Sequence, residues 1–247
     1  MPLEQSEAVI LRTYPIGEQD KLVVLFSQDK GVIKGVAKGA RKFGNRFGSS
    51  LEPMSHVRTF FYEKERQELV TISNCDLLES FFDVQKDLDV ACALSYFAEL
   101  IEEFSPSRSR DDLLYRLVLS LLRGFKEKGE VRLLSRYFES WFLRINGWLP
   151  EFKRCQRCHK PLAEAGWLSP KRDGVYCGAC APEKRDTVGP EVLSFTIWAK
   201  KNPPLAEAGA PFTVDALEAV RRTHQRIIVF HLEKEPRTMR FLKKGPD

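Results

Sequence analysis

Lys21-Leu-Val-Val-Leu-Phe-Ser-Gln-Asp-Lys-Gly-Val-Ile-Lys-Gly-Val-Ala-Lys38 reads as two strands around one tight turn. Lys21–Phe26 is apolar and β-branched, as a half-buried strand requires. Asp29-Lys-Gly31 supplies the turn. From Val32 the side chains alternate with period two. Val32, Lys34, Val36 and Lys38 share one face, and Ile33, Gly35, Ala37 and Gly39 share the other. The small residues on the second face predict close approach of another backbone, or a bend. Working outward, Ala8–Leu11 is a preceding strand, separated from the hairpin by a turn at Tyr14-Pro-Ile-Gly17. Val57–Tyr62 and Leu69–Ser73 are two later strands, joined by a charged turn from Glu63 to Glu68. Five short strands with glycine bends fit a small, partly open barrel of the OB type. An SH3-like barrel or a small sheet fits the same strand count.

Beyond residue 80 the period changes. Leu88, Ala91, Leu94, Ala98 and Ile101 lie on one helix face, ended by Ser105-Pro106. Ser109 with Asp112 reads as a capping box, opening a second helix with Leu114, Leu117, Val118, Leu121 and Phe125. A third carries Leu134, Phe138, Phe142 and Ile145 and stops at Gly147 and Pro150. Three such helices are expected to form a bundle. Two more follow the cysteines. One opens at Gly189-Pro190 and ends at Asn202-Pro-Pro204. The other starts near Thr213 and includes His224 and His231, roughly 10 Å apart along its axis. That spacing is too long for a shared metal, so both read as residues at the edge of the core. The expected class is α+β, with a barrel at 1–80 and a helical domain at 81–247. A cysteine module at 151–187 is inserted in the latter.

That module holds Cys155-Gln-Arg-Cys158 and, eighteen residues on, Cys177-Gly-Ala-Cys180. Paired C-x-x-C turns converge four thiolates on one ion, the pattern of a tetrahedral zinc site. Four sulfur ligands leave no open position, so the zinc reads as structural. Two disulfides or free thiols compete with this reading, and His159 is a candidate to replace one sulfur. Cys75 and Cys92 have no partner motif and read as small buried hydrophobes.

The chain has 247 residues, 43% of them hydrophobic and 30% charged, with a net charge of +5. That composition is globular. No apolar run reaches the eighteen residues of a membrane span, and Met1-Pro-Leu-Glu-Gln-Ser lacks signal-peptide character. The expected compartment is the cytoplasm, where reduced thiols favour metal. No phosphate loop, H-E-x-x-H or G-x-S-x-G occurs, which favours a binding protein over an enzyme. Glu102 and Glu103 read as a solvated helix face.

Positive charge is concentrated. Lys30 to Leu51 holds six basic residues and no acidic one: Lys30, Lys34, Lys38, Arg41, Lys42 and Arg46, with Phe43 and Phe47 among them. Cations neutralise phosphates and rings stack on unpaired bases, so Lys34, Lys38, Arg41, Lys42, Phe43, Arg46 and Phe47 are candidate nucleic-acid contacts. The competing reading is a solvated basic loop with its phenylalanines in the core. The cysteine module is also basic, and its Trp167 either stacks on a base or packs over the metal core. Arg237–Lys244, basic with Met239, Phe241 and Leu242, suits an acidic peptide with an apolar anchor, or is simply a helix end.

Glu7-Ala-Val-Ile-Leu-Arg-Thr-Tyr-Pro-Ile-Gly-Glu-Gln-Asp-Lys-Leu-Val-Val-Leu-Phe-Ser27 resembles the bacterial recombination mediator family RecO. So do Lys30-Gly-Val-Ile-Lys-Gly-Val-Ala-Lys-Gly-Ala-Arg-Lys42, Asn146-Gly-Trp-Leu-Pro150 and Met239-Arg-Phe-Leu-Lys243. The resemblance implies an OB domain, a helical domain and a zinc module. It implies binding to single- and double-stranded DNA, strand annealing, and no enzymatic turnover. It implies action with RecR to load RecA onto DNA coated by the single-stranded-DNA-binding protein SSB, whose acidic tail meets the helical domain. Residence at the nucleoid during repair follows from that role. Two other classes remain open on the residues: an RNA-binding OB and zinc-ribbon protein, and a protein-interaction scaffold.

Overall fold

The computed structural model describes residues 2–63, 68–105, 109–162, 165–205 and 210–242. The first strands form as the hydrophobic alternation requires. β1 (Leu3–Ile16), β2 (Asp20–Ser27), β3 (Gly31–Ala37), β4 (His56–Tyr62) and β5 (Leu69–Glu79) close into a barrel in the order β1-β2-β3-β5-β4. All pairings are antiparallel except β3 with β5. This five-stranded closed sheet is the OB arrangement. The β2–β3 hairpin turns at Gly31, whose φ of 63° suits glycine.

Two expectations about β1 and β5 were too short. β1 continues through Tyr14 and Pro15, and the turn moves to Gly17, at φ 58°. β1 pairs with β4 only as far as Val9, so Pro15 sits where one edge is open and tolerates the missing N–H. β5 runs on to Glu79 and returns along β4. The charged turn expected at 63–68 lies largely outside the described residues.

The barrel core is assembled from Ala8, Ile10, Val23, Leu25, Ile33, Ala37, Val57, Phe61, Val70 and Ile72. Gly35 is crowded by side chains of β5 rather than by another backbone. A methyl group there would lie 2.7 Å from Val70 Cγ2 and 2.9 Å from Ile72 Cγ1.

The chain divides into two compact units: Met1–Lys126 with Thr238–Asp247, and Glu127–Arg237. The helices do not form the expected three-helix bundle. α1 (Leu88–Phe104) and α2 (Asp112–Lys126) belong to the unit of the barrel, whereas α3 (Val131–Ile145) packs with α4 (Pro190–Lys201) and α5 (Val214–Leu232). An apolar stripe sets that a helix packs, not against what. α1 begins at Leu88 because the Asp87 carboxylate accepts from the N–H groups of Asp89 and Val90. α2 is capped by Asp111, whose Oδ1 accepts from Leu114 N at 2.9 Å, rather than by Ser109. Arg123 and Lys126 of α2 each lie 3.1 Å from Glu79 at the end of β5. α6 (Met239–Leu242) docks on α1, with Met239 1% exposed and Thr238 N donating to Glu99 at 2.9 Å. Lys243 and Lys244 of the basic tail lie outside the described residues.

In the second unit, Trp141 Nε1 and the Tyr137 hydroxyl on α3 donate to the carbonyls of Ala199 and Asn202 at the end of α4. Between α3 and α5 lies a buried polar cluster. Arg136 pairs with Glu139 at 2.7 Å, Gln225 donates to Glu139 at 3.3 Å, and His224 Nδ1 is 3.8 Å from the same carboxylate. His224 is therefore a core residue, not one at the core edge. His231 fits the edge, stacked on Trp148 at 4.6 Å. The cysteine module adds β6 (Gly166–Leu168), β7 (Val175–Tyr176) and β8 (Thr187–Val188) in the order β7-β6-β8. Among the described residues, no helix is long and apolar enough to cross a membrane.

Candidate nucleic-acid interface and metal centre

The basic loop after β3 is held by its own chemistry. Asp20 Oδ1 accepts from Gly39 N at 2.8 Å. Asn45 Oδ1 accepts from Phe47 N and Gly48 N, and Asn45 Nδ2 donates to the Lys42 carbonyl at 3.0 Å. Asn45 is thus the loop's organiser, a role that its isolated letter in the sequence did not disclose. Ala40, Phe47 and Leu51 enter the barrel core and anchor the loop to it.

This anchoring separates the seven candidates. Phe43 is fully exposed at 108%, and Lys38, Arg41 and Lys42 around it are exposed too. Arg41 also donates to the Gly17 carbonyl at 3.0 Å, which ties the loop to the β1–β2 turn. Arg46 is exposed but engaged. Its Nε donates to the Ser73 carbonyl at 2.6 Å, and its guanidinium lies 4.6 Å from the Phe47 ring centroid. Phe47 corrects the sequence reading: at 3% exposed, its ring fills the barrel core and no base can stack on it. Spacing along a loop does not tell which of two phenylalanines turns inward.

Lys34 projects outward from β3 as expected, yet it is not free. Its Nζ lies 2.8 Å from Glu102 of α1. Arg12 Nε is 3.8 Å from the same carboxylate, and Arg12 Nη2 donates to the Ser95 carbonyl at 3.4 Å. Glu102 is thus no solvated face residue but a counter-charge laid on the barrel. Lys34 and Glu102 lie 68 positions apart (102 minus 34), so no local pattern announces the pairing.

The four cysteines converge. One sulfur each from Cys155, Cys158, Cys177 and Cys180 lie within 4.8 Å of one another, a group able to hold a metal ion. The Cys158 and Cys177 sulfurs are 3.8 Å apart. Both C-x-x-C segments form tight turns, closed by His159 N to the Cys155 carbonyl and Ala181 N to the Cys177 carbonyl, each 2.9 Å. His159 takes a left-handed φ of 57° and is not among the converging residues. Burial pushes the Cys155 thiol up, but backbone N–H groups from Cys158, Cys177 and Arg157 outweigh it and bring it down to about 6. Cys177 is likewise raised by burial but lowered overall by the N–H groups of Ala179 and Cys180. Cys180 is pushed up to about 12 by hydrogen bonding to its sulfur neighbours Cys158 and Cys177. Sulfurs crowded this closely compete for negative charge, which a bound cation would relieve. Trp167 packs 3.3 Å from where a Cβ on Gly178 would stand, with Lys184 5.4 Å from its ring centroid. It covers the cysteine module. Of the remaining cysteines, Cys75 is buried as expected and Cys92 is only partly so.

Two family models account for nearly the whole chain: "Recombination protein O N terminal" matches residues 1–81, and "Recombination protein O C terminal" matches residues 85–240. The chain belongs to the RecO family. It is similar to the DNA repair protein RecO of Koribacter versatilis, 38% identical over 98% of this chain and 99% of the relative. It is also similar to the DNA repair protein RecO of Pelotomaculum thermopropionicum, 31% identical over 99% and 95% respectively. RecO membership places the protein in DNA repair and recombination.

Proposed function

We propose that this RecO protein binds single- and double-stranded DNA and anneals complementary strands. With RecR, it helps load RecA onto DNA coated by SSB, and it does so as a binding protein without catalytic turnover. The observation that supports this reading best is the loop from Lys38 to Arg46, with cations around the exposed Phe43, pinned to an OB barrel through Phe47. Cations without acidic neighbours along the loop screen phosphate repulsion between two strands. A single protruding ring stacks on any base, so the grip carries little sequence preference. Lys38, Arg41, Lys42 and Phe43 make these contacts directly. Lys34 joins when a phosphate replaces Glu102, and Arg46 contributes charge from its seat on Ser73.

The cysteine cluster holds zinc. Cys155, Cys158, Cys177 and Cys180 would hold the ion, their sulfurs lying within 4.8 Å of one another and those of Cys158 and Cys177 3.8 Å apart. Four sulfurs close the ion's coordination, so it braces the module and takes no part in turnover. The SSB tail and RecR are partners of this reading.

Annealing of labelled complementary strands, bare and SSB-coated, across a salt series tests it. Acceleration that fades at high salt is expected. No acceleration by protein that still binds DNA refutes the mediator role and favours an RNA-binding or scaffold role.

A further inference from the structure

A cavity of about 280 Å³ opens in the second unit, and none of the four converging cysteines lines it. Its walls come from the exit of the cysteine module, the first turn of α4 and the middle of α5. Arg185, Arg222 and Arg226 line it, against one lining carboxylate, Glu191. The three guanidinium groups are loosely held. Arg185 is 3.5 Å from Glu183, Arg222 is 3.8 Å from Glu218, and Arg226 is 3.3 Å from Asp186. Charge-assisted hydrogen bonds normally close to about 2.7–2.9 Å, so each arginine keeps donors for another acceptor.

Two independent features point into the same space. Gly189 lines it and precedes α4 with Pro190 next, and no side chain hydrogen-bonds the first turn of this twelve-residue helix. Thr223 lines it from α5 at 2% exposure, and among the described residues no hydrogen bond engages its hydroxyl. A hydroxyl on a buried threonine that lines the cavity, beside three guanidinium groups with donors to spare, is a cradle for a compact oxyanion. The Glu191 carboxylate already bends back over Gly189, where a Cβ would overlap it. It is an internal stand-in for such an anion.

We propose that this cavity binds a phosphate group, which displaces Glu191 and is held by Arg185, Arg222, Arg226, the Thr223 hydroxyl and the first turn of α4. Phosphate suits it better than a planar carboxylate because its tetrahedral oxygens reach donors on three walls at once. The group belongs either to a nucleic-acid backbone or to a free phosphate compound. The backbone source rests on the DNA-binding reading above and would give the protein a second strand contact.

The test uses the full chain and four variants: Arg222→Gln, Thr223→Val, Glu191→Gln, and the loop variant Lys38→Ala/Arg41→Ala/Lys42→Ala. Calorimetric titration with inorganic phosphate is expected to show binding that Arg222→Gln abolishes, Thr223→Val weakens and Glu191→Gln strengthens severalfold. Opposite signs from neighbouring variants exclude simple misfolding. Affinity for single-stranded DNA against salt then separates the sources. A slope shallower by about 0.7 per lost phosphate contact in Arg222→Gln assigns the backbone. An unchanged slope with phosphate binding lost assigns a free phosphate compound. No phosphate binding together with an unchanged slope overturns the site. If the loop variant keeps the wild-type slope while Arg222→Gln loses phosphate, the cavity stands and the DNA-binding loop falls.

Discussion

Phe43 and Phe47 are four residues apart, and their replacement by alanine is expected to have opposite consequences. Phe47 is 3% exposed in the barrel core, beneath the Arg46 guanidinium at 4.6 Å. Truncating a buried phenylalanine costs about 3–5 kcal/mol, through lost transfer energy and the cavity left behind. The cation–π contact adds roughly 0.5–1 kcal/mol. At about 2–4 °C per kcal/mol, Phe47→Ala should lower the melting midpoint of the barrel unit by roughly 7–24 °C. Phe43, at 108% exposure, touches no core. Phe43→Ala should leave that midpoint in place and weaken single-stranded DNA binding by about 1–3 kcal/mol, the cost of one stacked base. That corresponds to roughly 5- to 150-fold in Kd. All four tryptophans, Trp141, Trp148, Trp167 and Trp198, lie in the second unit. Tryptophan fluorescence therefore follows that unit alone, and differential scanning calorimetry with oligonucleotide anisotropy follows the rest. The fluorescence transition should be the same in both variants. DNA affinity unchanged in Phe43→Ala, or a stable Phe47→Ala that loses DNA, would refute the division of labour.

Glu102→Gln should release Lys34 and Arg12, tighten DNA binding at low salt and steepen the salt slope by about 0.7 per cation freed; weaker binding would show that Glu102 only positions the helix. Gly35→Ala should cost about 1–3 kcal/mol by pressing on Val70 and Ile72, read as a lower calorimetric midpoint with β-structure retained. Purified reduced protein should carry one zinc per chain by elemental analysis, and Cys158→Ser or a strong chelator should lower the tryptophan-detected midpoint; metal-free protein with wild-type unfolding would remove zinc from the account. Burial holds His224 below the ordinary histidine range against the pull of Glu139, and Arg136 and Arg144 add to the lowering. Below the unfolded value of about 6.5 only the unfolded chain takes up that proton, so stability falls with falling pH, by up to about 1.4 kcal/mol per pH unit. Urea unfolding followed by tryptophan fluorescence at pH 7.5 and 5.5 should show the loss, and His224→Gln should flatten it; an equal loss in the variant would assign it elsewhere.

The barrel was legible because its signal is local. A two-residue period and the Asp29-Lys-Gly31 turn each act through near neighbours, and each appears where expected. The cysteine cluster was legible for the same reason, since the C-x-x-C turn is set by four consecutive residues. What escaped was set by distant partners. Apolar stripes on α1, α2 and α3 fixed the helices but not their companions, and α3 joins α4 and α5, which come after a long insertion. Glu102 looked solvated until β3 brought Lys34 beneath it. Phe43 and Phe47 carry the same side chain, and only the path of the loop through Asn45 decides which ring is buried. His224 reached the core because Glu139, eighty-five positions earlier (224 minus 139), waits there.

The return of Thr238–Leu242 to α1 has a bearing on how the protein is made. Synthesis runs from the first residue onward, and domains usually fold as they emerge. Here the strands of the barrel, α1 and α2 leave the ribosome early, but the helix that covers α1 follows only after all of Glu127–Arg237. The nascent chain must therefore carry an open socket for Met239 through the translation of more than a hundred further residues (237 minus 127, plus one, is 111). The second unit has every segment it needs before the first is complete. A gene permuted so that Thr238–Leu242 is translated ahead of Leu3 would close the socket at once, and a fragment cut at Lys126 would never close it.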